Sequence, residues 1–238
     1  MINNKKVLAI VIARKGSSGL PGKNYKLLMG LPCFLWSIKA AEKSKYVDLI
    51  ATSSCCPHVK SHWHEYDKRN SSIFIDRPEE LNSPFVKNED VLRHVVSECQ
   101  NRLNFIADII VTLQPTSPIR SNNLIDECLD KMEQETADSL VTVTTHYPFI
   151  WNDYGSEVVC PNMYYLDRPM REDIKNSFFS LIDNGNIYIT SHDILMKKNN
   201  RLGGRISVYK TNKYQGYQID TEEDFKIIEC IGKINGIV

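Results

Sequence analysis

The stretch "KVLAIVIARKGSSGLPGKN", from Lys6 to Asn24, decides the fold. Its first seven residues form a nearly continuous apolar run, which predicts a buried β-strand. The following loop combines three glycines with several cations, but its spacing matches neither Gly-x-x-x-x-Gly-Lys-Ser/Thr nor Gly-x-Gly-x-x-Gly. Two interpretations stay open: a cradle whose backbone N–H groups converge on phosphate, or a glycine-rich connection that carries a solvated charge cluster.

Further strands and helices alternate along the chain after this unit. The strand segments are "VDLIAT", "SSIFI", "ADIIVTL", "DSLVTVTT", "GNIYIT", "RISVYKT" and "YQGYQID". The helical segments are "PCFLWSIKAAEKS", "PHVKSHWHEYDK", "NEDVLRHVVSECQNRL", "NNLIDECLDKMEQE", "SHDILMKKN" and "TEEDFKIIECIGKI". This rhythm predicts an α/β fold with a mostly parallel sheet flanked by helices on both faces.

The rhythm stops between about residues 146 and 183, where aromatic and turn-forming residues follow no clear period. This segment is interpreted as a long substrate loop or as an arm that packs against a second subunit. Because no linker, repeat or low-complexity tract occurs elsewhere, residues 1–238 are predicted to form one domain with an inserted arm.

Composition limits the classes of partner. The 238 residues carry 29 basic and 29 acidic side chains, so the net charge is zero and general nucleic-acid binding is not expected. No segment has the apolar length that crosses a bilayer, and a membrane partner is not expected either. The seven scattered cysteines suit reduced thiols in a cytoplasmic protein better than a disulfide framework.

Two further loops lie at predicted strand ends, where open parallel sheets bind ligands. In "TLQPTSPIR", the Gln114 amide suits a base or a ribose, whereas the plainer interpretation is that Pro115 and Pro118 merely end the strand. In "QIDTEEDF", Asp220 is expected to end a strand just before a helix, where its carboxylate suits a hard divalent cation.

The motifs "IARKGSSGLPGKN", "RPEELNS", "LQPTSPIR", "NGNIYI" and "IDTEEDF" together resemble the acylneuraminate cytidylyltransferases, in order and in spacing, over nearly the whole chain. The resemblance implies a nucleotide-diphospho-sugar transferase-like, Rossmann-type fold and a homodimer built through the inserted arm. It also implies CTP and Mg²⁺, with CMP transferred to the anomeric hydroxyl of a nine-carbon 2-keto-3-deoxy sugar acid and pyrophosphate released. Such a product serves the biosynthesis of cell-surface polysaccharides.

The resemblance also implies roles for individual residues. Arg14, Lys23 and Asp220 are the expected catalytic residues, the first two on the triphosphate and Asp220 on Mg²⁺. The expected nucleotide-binding residues are Arg14, Gly16, Ser17, Lys23, Asn24, Arg77, Asn88 and Gln114, with Arg77 reading the cytosine. Gln114 also lies near the sugar, and Arg171 in the arm is expected to hold the sugar carboxylate.

The sequence departs from the family pattern at several of these motifs. Ser18 replaces a lysine expected near the phosphates, and Gln218 replaces one of two metal-side aspartates, leaving only a weak amide ligand. Lys87 and Asn88 stand where a serine pair normally sits beside the base, and the arginine that often precedes "NG" is missing. These changes indicate an altered sugar pocket, for a sialic, legionaminic or pseudaminic type of acid. The alternative is a catalytically impaired relative that retains the nucleotide.

Overall fold

The structure is a computed structural model that describes residues 1–16, 19–67, 72–161, 166–170, 172–173 and 180–235. Its strands are β1 (Val7–Ile12), β2 (Leu27–Leu28), β3 (Leu31–Pro32), β4 (Val47–Ser54), β5 (Ser72–Asp76), β6 (Ile109–Leu113), β7 (Ser139–His146), β8 (Asn152–Asp153), β9 (Val158–Val159), β10 (Ser180–Ser191) and β11 (Ile206–Lys210). Its helices are α1 (Cys33–Glu42), α2 (Pro57–Tyr66), α3 (Asn88–Leu103), α4 (Leu124–Gln134), α5 (His192–Lys198) and α6 (Glu222–Ile234). Short 3₁₀ turns occupy Glu79–Leu81 and Lys213–Gly216.

Seven strands form the main sheet in the order β11-β7-β10-β6-β1-β4-β5. β10 is antiparallel to both of its neighbours, while the other pairings in this sheet are parallel. The carboxyl ends of β1, β4, β5, β6 and β7 therefore meet at one edge of the sheet. The predicted α/β class, with a mostly parallel sheet between helices, is confirmed.

The apolar run of β1 is buried on both faces, and its alternate residues face two separate cores. Val7, Ala9 and Val11 pack in the cluster that contains side chains of α1, α2 and α4. Leu8 and Ile10 pack in the cluster formed with α3 and α5. This two-sided burial explains why the strand reads as a continuous apolar segment rather than as an alternating one.

β7 and β10 frame the segment predicted to be an arm. His146 at the end of β7 pairs with Ser180 at the start of β10, so the segment leaves and rejoins the sheet at one point. β10 begins before "GNIYIT", inside the range predicted as irregular. Its pairing register with β7 shifts between Asp183 and Tyr188, a stretch that we call the β10 bulge. Within the described part of the segment, β8 and β9 pair as a small antiparallel ladder.

The prediction of a strand at "YQGYQID" is wrong. Asn212 and Gln215 form a reciprocal capping box that closes the 3₁₀ turn Lys213–Gly216, and the chain then runs to Asp220 without pairing to the sheet. Asp220 therefore precedes α6 but does not end a strand. The helix itself begins as predicted, with Thr221 and Asp224 forming its capping box.

A third apolar cluster lies near the edge where the strands end. Leu20, from the loop after β1, packs there with Ile219, which precedes α6, and with Phe225 in the first turns of α6. This contact brings the first and last predicted motifs together, although they are far apart in sequence. Among the described residues, no helix combines the length and the apolarity needed to span a bilayer.

Candidate active site

A cavity of about 390 Å³ opens at the carboxyl edge of the sheet, between β1, β5, β6 and the segment before α6. Residues predicted for the site line it together: Arg14, Lys23, Asn24, Arg77, Asn88, Gln114, Gln218 and Asp220. Gly16 is exposed in the loop after β1 but does not line this cavity. Ser17 and Arg171 lie outside the described residues, so their predicted roles stay predictions.

Lys23 joins the loop after β1 to the segment before α6. Its Nζ donates to the Ile219 carbonyl at 2.6 Å and to Asp220 Oδ1 at 2.8 Å. The Lys23 side chain is only 12% exposed, whereas that of Asp220 is 72% exposed at the rim. The ammonium group is thus held in a partly desolvated position, where its attraction for an anion in the cavity is strengthened.

The loop after β1 is fixed at both ends. The buried Asn24 side chain donates to the Arg14 carbonyl at 2.9 Å, which draws the start and end of the loop together. At Gly19 a Cβ atom would stand 2.3 Å from the Asp220 carbonyl oxygen, so a glycine is required there by close backbone approach. The exposed Arg14 side chain and the Lys23 ammonium therefore reach the cavity from a constrained loop.

Arg77 follows β5 and is 6% exposed. Its Nη2 donates to the Ser53 carbonyl at 2.9 Å and its Nε to Ser53 Oγ at 3.3 Å, at the end of the neighbouring β4. Burial lowers the pKa of Arg77 to about 10, and repulsion from the Arg14 charge acts in the same direction. These contacts hold the planar guanidinium group of Arg77 in a fixed position at the cavity wall.

Gln114 and Gln218 approach the cavity from two sides. Gln114 follows β6, and its Oε1 accepts a long hydrogen bond of 3.4 Å from Thr116 Oγ1. The Gln218 amide lies against Gly185 in the β10 bulge, since a Cβ there would stand 2.6 Å from Gln218 Nε2. Gln218 therefore both packs against the sheet edge and lines the cavity. The packing contact shows that this side chain has a structural role besides any role as a metal ligand.

The residues at the cavity rim fit the Mg²⁺ ion that is predicted at Asp220. The described residues contain no group of three or more histidine, cysteine or acidic side chains that would hold a metal ion by themselves. The exposed Asp220 carboxylate and the Gln218 amide oxygen nevertheless supply the hard oxygen donors that Mg²⁺ takes alongside substrate phosphates. These two donors thus suit an ion that takes most of its other ligands from the phosphates of a nucleotide.

Several cavity residues carried no predicted role. Asn82 and Ser83 follow Arg77, and Thr112 and Thr116 flank Gln114. They occur inside or beside the motifs "RPEELNS" and "LQPTSPIR". Their position at or just after the end of a strand is the signal in the sequence that could have identified them. Arg120, in the second of these motifs, is buried behind the cavity wall and also carried no predicted role.

Comparisons with known proteins agree with this geometry. A profile of the family described as Cytidylyltransferase matches residues 8–235. The chain is 26% identical over 231 residues to the N-acylneuraminate cytidylyltransferase of Oncorhynchus mykiss, a match that covers 94% of this chain and 49% of that protein. It is 24% identical over 229 residues to the post-translational flagellin modification protein B of Campylobacter coli, covering 95% of each. The chain thus spans about half the length of the first relative and nearly the whole of the second.

A solved structure shares the fold. CMP:2-keto-3-deoxy-manno-octonic acid synthetase, solved in complex with CTP, superimposes with a TM-score of 0.67 over 97% of this chain and 99% of that one, at 15% identity. The predicted nucleotidyltransferase-type fold is therefore confirmed. Since the family profile covers nearly the entire chain, the protein belongs to the cytidylyltransferase family.

Proposed function

We propose that this protein is a CTP-dependent nucleotidyltransferase that activates an acidic nine-carbon 2-keto-3-deoxy sugar. The observation that carries the proposal is the single cavity in which the cations Arg14 and Lys23 meet the Asp220 carboxylate and the polar wall formed by Arg77 and Gln114. A nucleoside triphosphate needs those three kinds of partner: cations for phosphates, an oxygen ligand for a divalent ion, and fixed donors and acceptors for the base.

In the proposed reaction, the anomeric hydroxyl oxygen of the sugar acid bonds to the α-phosphorus of CTP and loses its proton to solvent or to a base. The bond between the α-phosphorus and the bridging oxygen breaks, and pyrophosphate leaves with that electron pair. Negative charge grows on the phosphoryl and leaving oxygens, so catalysis consists mainly of positioning and electrostatic stabilisation. Lys23, anchored on the Ile219 carbonyl and only 12% exposed, is the cation whose position is most constrained for this task.

Mg²⁺ is proposed as the cofactor, held at Asp220 with the phosphates and weakly assisted by Gln218. When bound, the ion would neutralise phosphate charge and favour ionisation of the attacking hydroxyl. Nucleotide and ion entering together would draw Asp220 away from Lys23 and leave the lysine free to contact the phosphates. We therefore interpret the ion pair between Lys23 and Asp220 as the state of the site without nucleotide, in which each residue takes the place of the other's ligand.

The sugar class rests on the relatives and on the sequence departures. The names of the relatives point to an acylneuraminate in one case and to flagellin modification in the other. Asp183, at the position where the family pattern often has an arginine, is engaged by the Tyr188 hydroxyl at 2.9 and 2.8 Å. The absence of that arginine supports a changed sugar pocket, for an acid of the sialic, legionaminic or pseudaminic type that is destined for a cell-surface polysaccharide or glycan.

The deciding experiment is pyrophosphate release with CTP and Mg²⁺ in the presence of sialic, legionaminic, pseudaminic or eight-carbon 3-deoxy-octulosonic acid. We expect turnover with one nine-carbon acid, and none when UTP replaces CTP. Asp220→Asn should abolish Mg²⁺-supported turnover, whereas Glu222→Gln, a charge-neutralising change at the start of α6, should leave it nearly intact. CTP binding without turnover on any acid would support the alternative, a nucleotide-binding relative impaired by Ser18 and Gln218.

We also propose a homodimer formed through the segment between β7 and β10. In its described part, Tyr154, Val158, Leu166 and Met170 are 65%, 58%, 71% and 74% exposed, a density of exposed apolar side chains that favours burial against a second copy. Sedimentation should give the mass of a dimer, and Val158→Asp with Met170→Asp should give a folded monomer. A wild-type monomer at micromolar concentration would contradict the proposal.

A cytoplasmic location is proposed on the state of the thiols. Cys33, Cys55, Cys56, Cys99, Cys128 and Cys230 are free thiols, as expected in a reducing compartment. Recovery of the protein in the cytoplasmic fraction of its host would support this location, and recovery in an oxidising compartment would contradict it.

A further inference from the structure

Arg120 is a buried arginine behind the wall of the candidate site. It is 6% exposed, and its guanidinium group bridges three elements of the fold. Nη1 donates to Ser37 Oγ of α1 at 3.0 Å, while Nη2 donates to the Gln114 carbonyl at 2.9 Å and to the Asn186 carbonyl of β10 at 3.0 Å. The side chain does not line the cavity, so it does not contact a nucleotide there.

The partners of this guanidinium are unusual for a buried charge. Buried cations are normally compensated by a carboxylate, because desolvation of an unpaired charge is costly. Within the described parts of the chain, the hydrogen-bond partners of Arg120 are two carbonyls and a hydroxyl, and burial lowers its pKa to about 9. An apolar side chain of similar size would avoid the desolvation cost, so the useful property of Arg120 is its geometry. Only a planar fork reaches these acceptors together.

The contacts lead from Arg120 into the site. Its hydrogen bond fixes the backbone of Gln114, and the side chains of Gln114 and Thr116 line the cavity. The Thr116 carbonyl accepts from the Ile219 N–H at 2.8 Å, and the Ile219 carbonyl accepts from Lys23 Nζ at 2.6 Å. The loop that Arg120 holds therefore supports both the Gln114 wall and the position of Lys23.

We infer that Arg120 is a positioning residue for the nucleotide site, acting through the backbone of Gln114 and the loop that follows it. The inference rests on the proposed function, because it takes CTP as the ligand of the cavity. Asn186 contributes to the same joint, since its Nδ2 donates to the Ile119 and Gln215 carbonyls at 2.9 and 2.8 Å. The joint thus connects the loop after β6, the β10 bulge and the turn before Asp220.

The test uses Arg120→Lys, which keeps a cation but cannot reach all three acceptors. The matched control is Arg102→Lys, because Arg102 also donates to a backbone carbonyl, that of Phe74 at 3.3 Å, from the far end of α3. We expect the Kd for CTP to rise by about 10-fold or more in Arg120→Lys and to stay within about 2-fold in the control.

Coupling separates positioning from a general structural role. Each variant is described by the fold-increase of its Kd for CTP over wild type. If Arg120 acts through Gln114, the increase in the double variant Arg120→Lys/Gln114→Ala should be at least about 5-fold smaller than the product of the two single increases. A merely structural defect would lower the folded fraction and leave the Kd of that fraction unchanged, whereas an effect on the site that is independent of Gln114 would multiply with that of Gln114→Ala. Multiplicative effects would therefore overturn the inference.

Two measurements keep the inference testable if Arg120→Lys folds poorly or if CTP does not bind. Ser37→Ala leaves Arg120 in place but removes one of its acceptors, together with the hydrogen bond that Ser37 Oγ donates to the Gln114 carbonyl at 3.3 Å. In both variants, the amides of Ser117 and Ile219, which donate to the Gln114 and Thr116 carbonyls, should exchange with deuterium faster than in wild type, without ligand. Unchanged exchange at both amides would overturn the inference. Failure of the proposed function would instead appear in the wild type, as absent CTP binding or absent turnover.

Discussion

Replacing Lys23 by methionine tests the electrostatic core of the proposed mechanism. Methionine keeps most of the length and the apolar stem but removes the charge, and the Lys23 side chain is only 12% exposed in the folded protein. One preorganised donor aimed at developing charge is worth about 10²–10³-fold in turnover, or about 2.7–4 kcal/mol. We therefore expect kcat for pyrophosphate release to fall by at least about 100-fold at saturating CTP and Mg²⁺.

The same substitution has a separate effect on stability. The Ile219 carbonyl would lose its donor at 2.6 Å, which costs about 1–3 kcal/mol if no water replaces the ammonium. The bond to Asp220 adds little, since that carboxylate is 72% exposed and its attraction is screened by solvent. Urea unfolding measures this loss independently of turnover, so a folded but inactive variant can be recognised.

Lys26 provides the matched control for Lys23. It lies in the same loop and pairs with Glu222, with the two side chains 35% and 45% exposed. Lys26→Met should cost no more than about 1 kcal/mol of stability and should change turnover by less than about 3-fold. Turnover of Lys23→Met within a few-fold of wild type, or an equal loss in both variants, would refute the assignment of Lys23 to the triphosphate.

Three further predictions follow from separate contacts. Gly19→Ala should lower turnover by about 10-fold or more, because its Cβ would stand 2.3 Å from the Asp220 carbonyl oxygen and would displace that segment. Gln218→Asp should lower the Mg²⁺ concentration needed for half-maximal turnover, because a carboxylate binds the ion more strongly than an amide. Burial alone would raise the pKa of Glu133. Hydrogen bonds from Lys5 and Asn3, together with the positive charge of Lys5, outweigh burial and lower this pKa below its ordinary value. The ionised Glu133 should therefore add about 1 kcal/mol to the free energy of unfolding at pH 7. This contribution should disappear as the pH falls through the lowered pKa, and it should be absent at every pH in Glu133→Gln. Urea unfolding at several pH values measures it.

Each of these predictions has its own check. Gly203→Ala, a glycine without positive φ whose Cβ would meet only an isoleucine side chain, is the control for Gly19, and equal losses of turnover would contradict the clash. Unchanged Mg²⁺ dependence in Gln218→Asp would place that side chain outside the metal shell. A stability difference between wild type and Glu133→Gln that is constant from pH 7 to about pH 3 would contradict the pH argument.

The strands of the sheet and its flanking helices were largely predictable because each of them is indicated by a short, continuous stretch of sequence. Burial on both faces of β1 leaves an apolar run that no surface strand would show, and α3 follows the predicted segment from Asn88 to Leu103. The strand predicted at "YQGYQID" failed because its tyrosines and isoleucine favour a strand, whereas Asn212 and Gln215 satisfy each other's backbone and close a turn. Such reciprocal capping competes with strand pairing, and strand propensity does not detect it.

The composition of the site was predictable to a similar extent, but its internal contacts were not. Strand ends and motifs were enough to bring Arg14, Arg77 and Asp220 to one cavity. That Lys23 reaches the Ile219 carbonyl depends on tertiary packing around Leu20, which no local pattern encodes. Arg120 was missed for the same reason: a sequence does not distinguish an arginine that is buried against carbonyls from one that is solvated.

The pairing of His146 with Ser180 has an evolutionary consequence. A segment whose two ends are fixed next to each other can change in length or content without altering the strands that hold it, and doubling its length costs only about 0.6 kcal/mol of closure entropy. The loops that carry Lys23 and Gln114 are attached elsewhere on the sheet edge. If the segment forms part of the acceptor pocket, as the family resemblance implies, this pocket can diverge by insertion and deletion at one site while the loops of the proposed phosphate site keep their attachment. The same boundary offers a place to exchange whole segments between relatives.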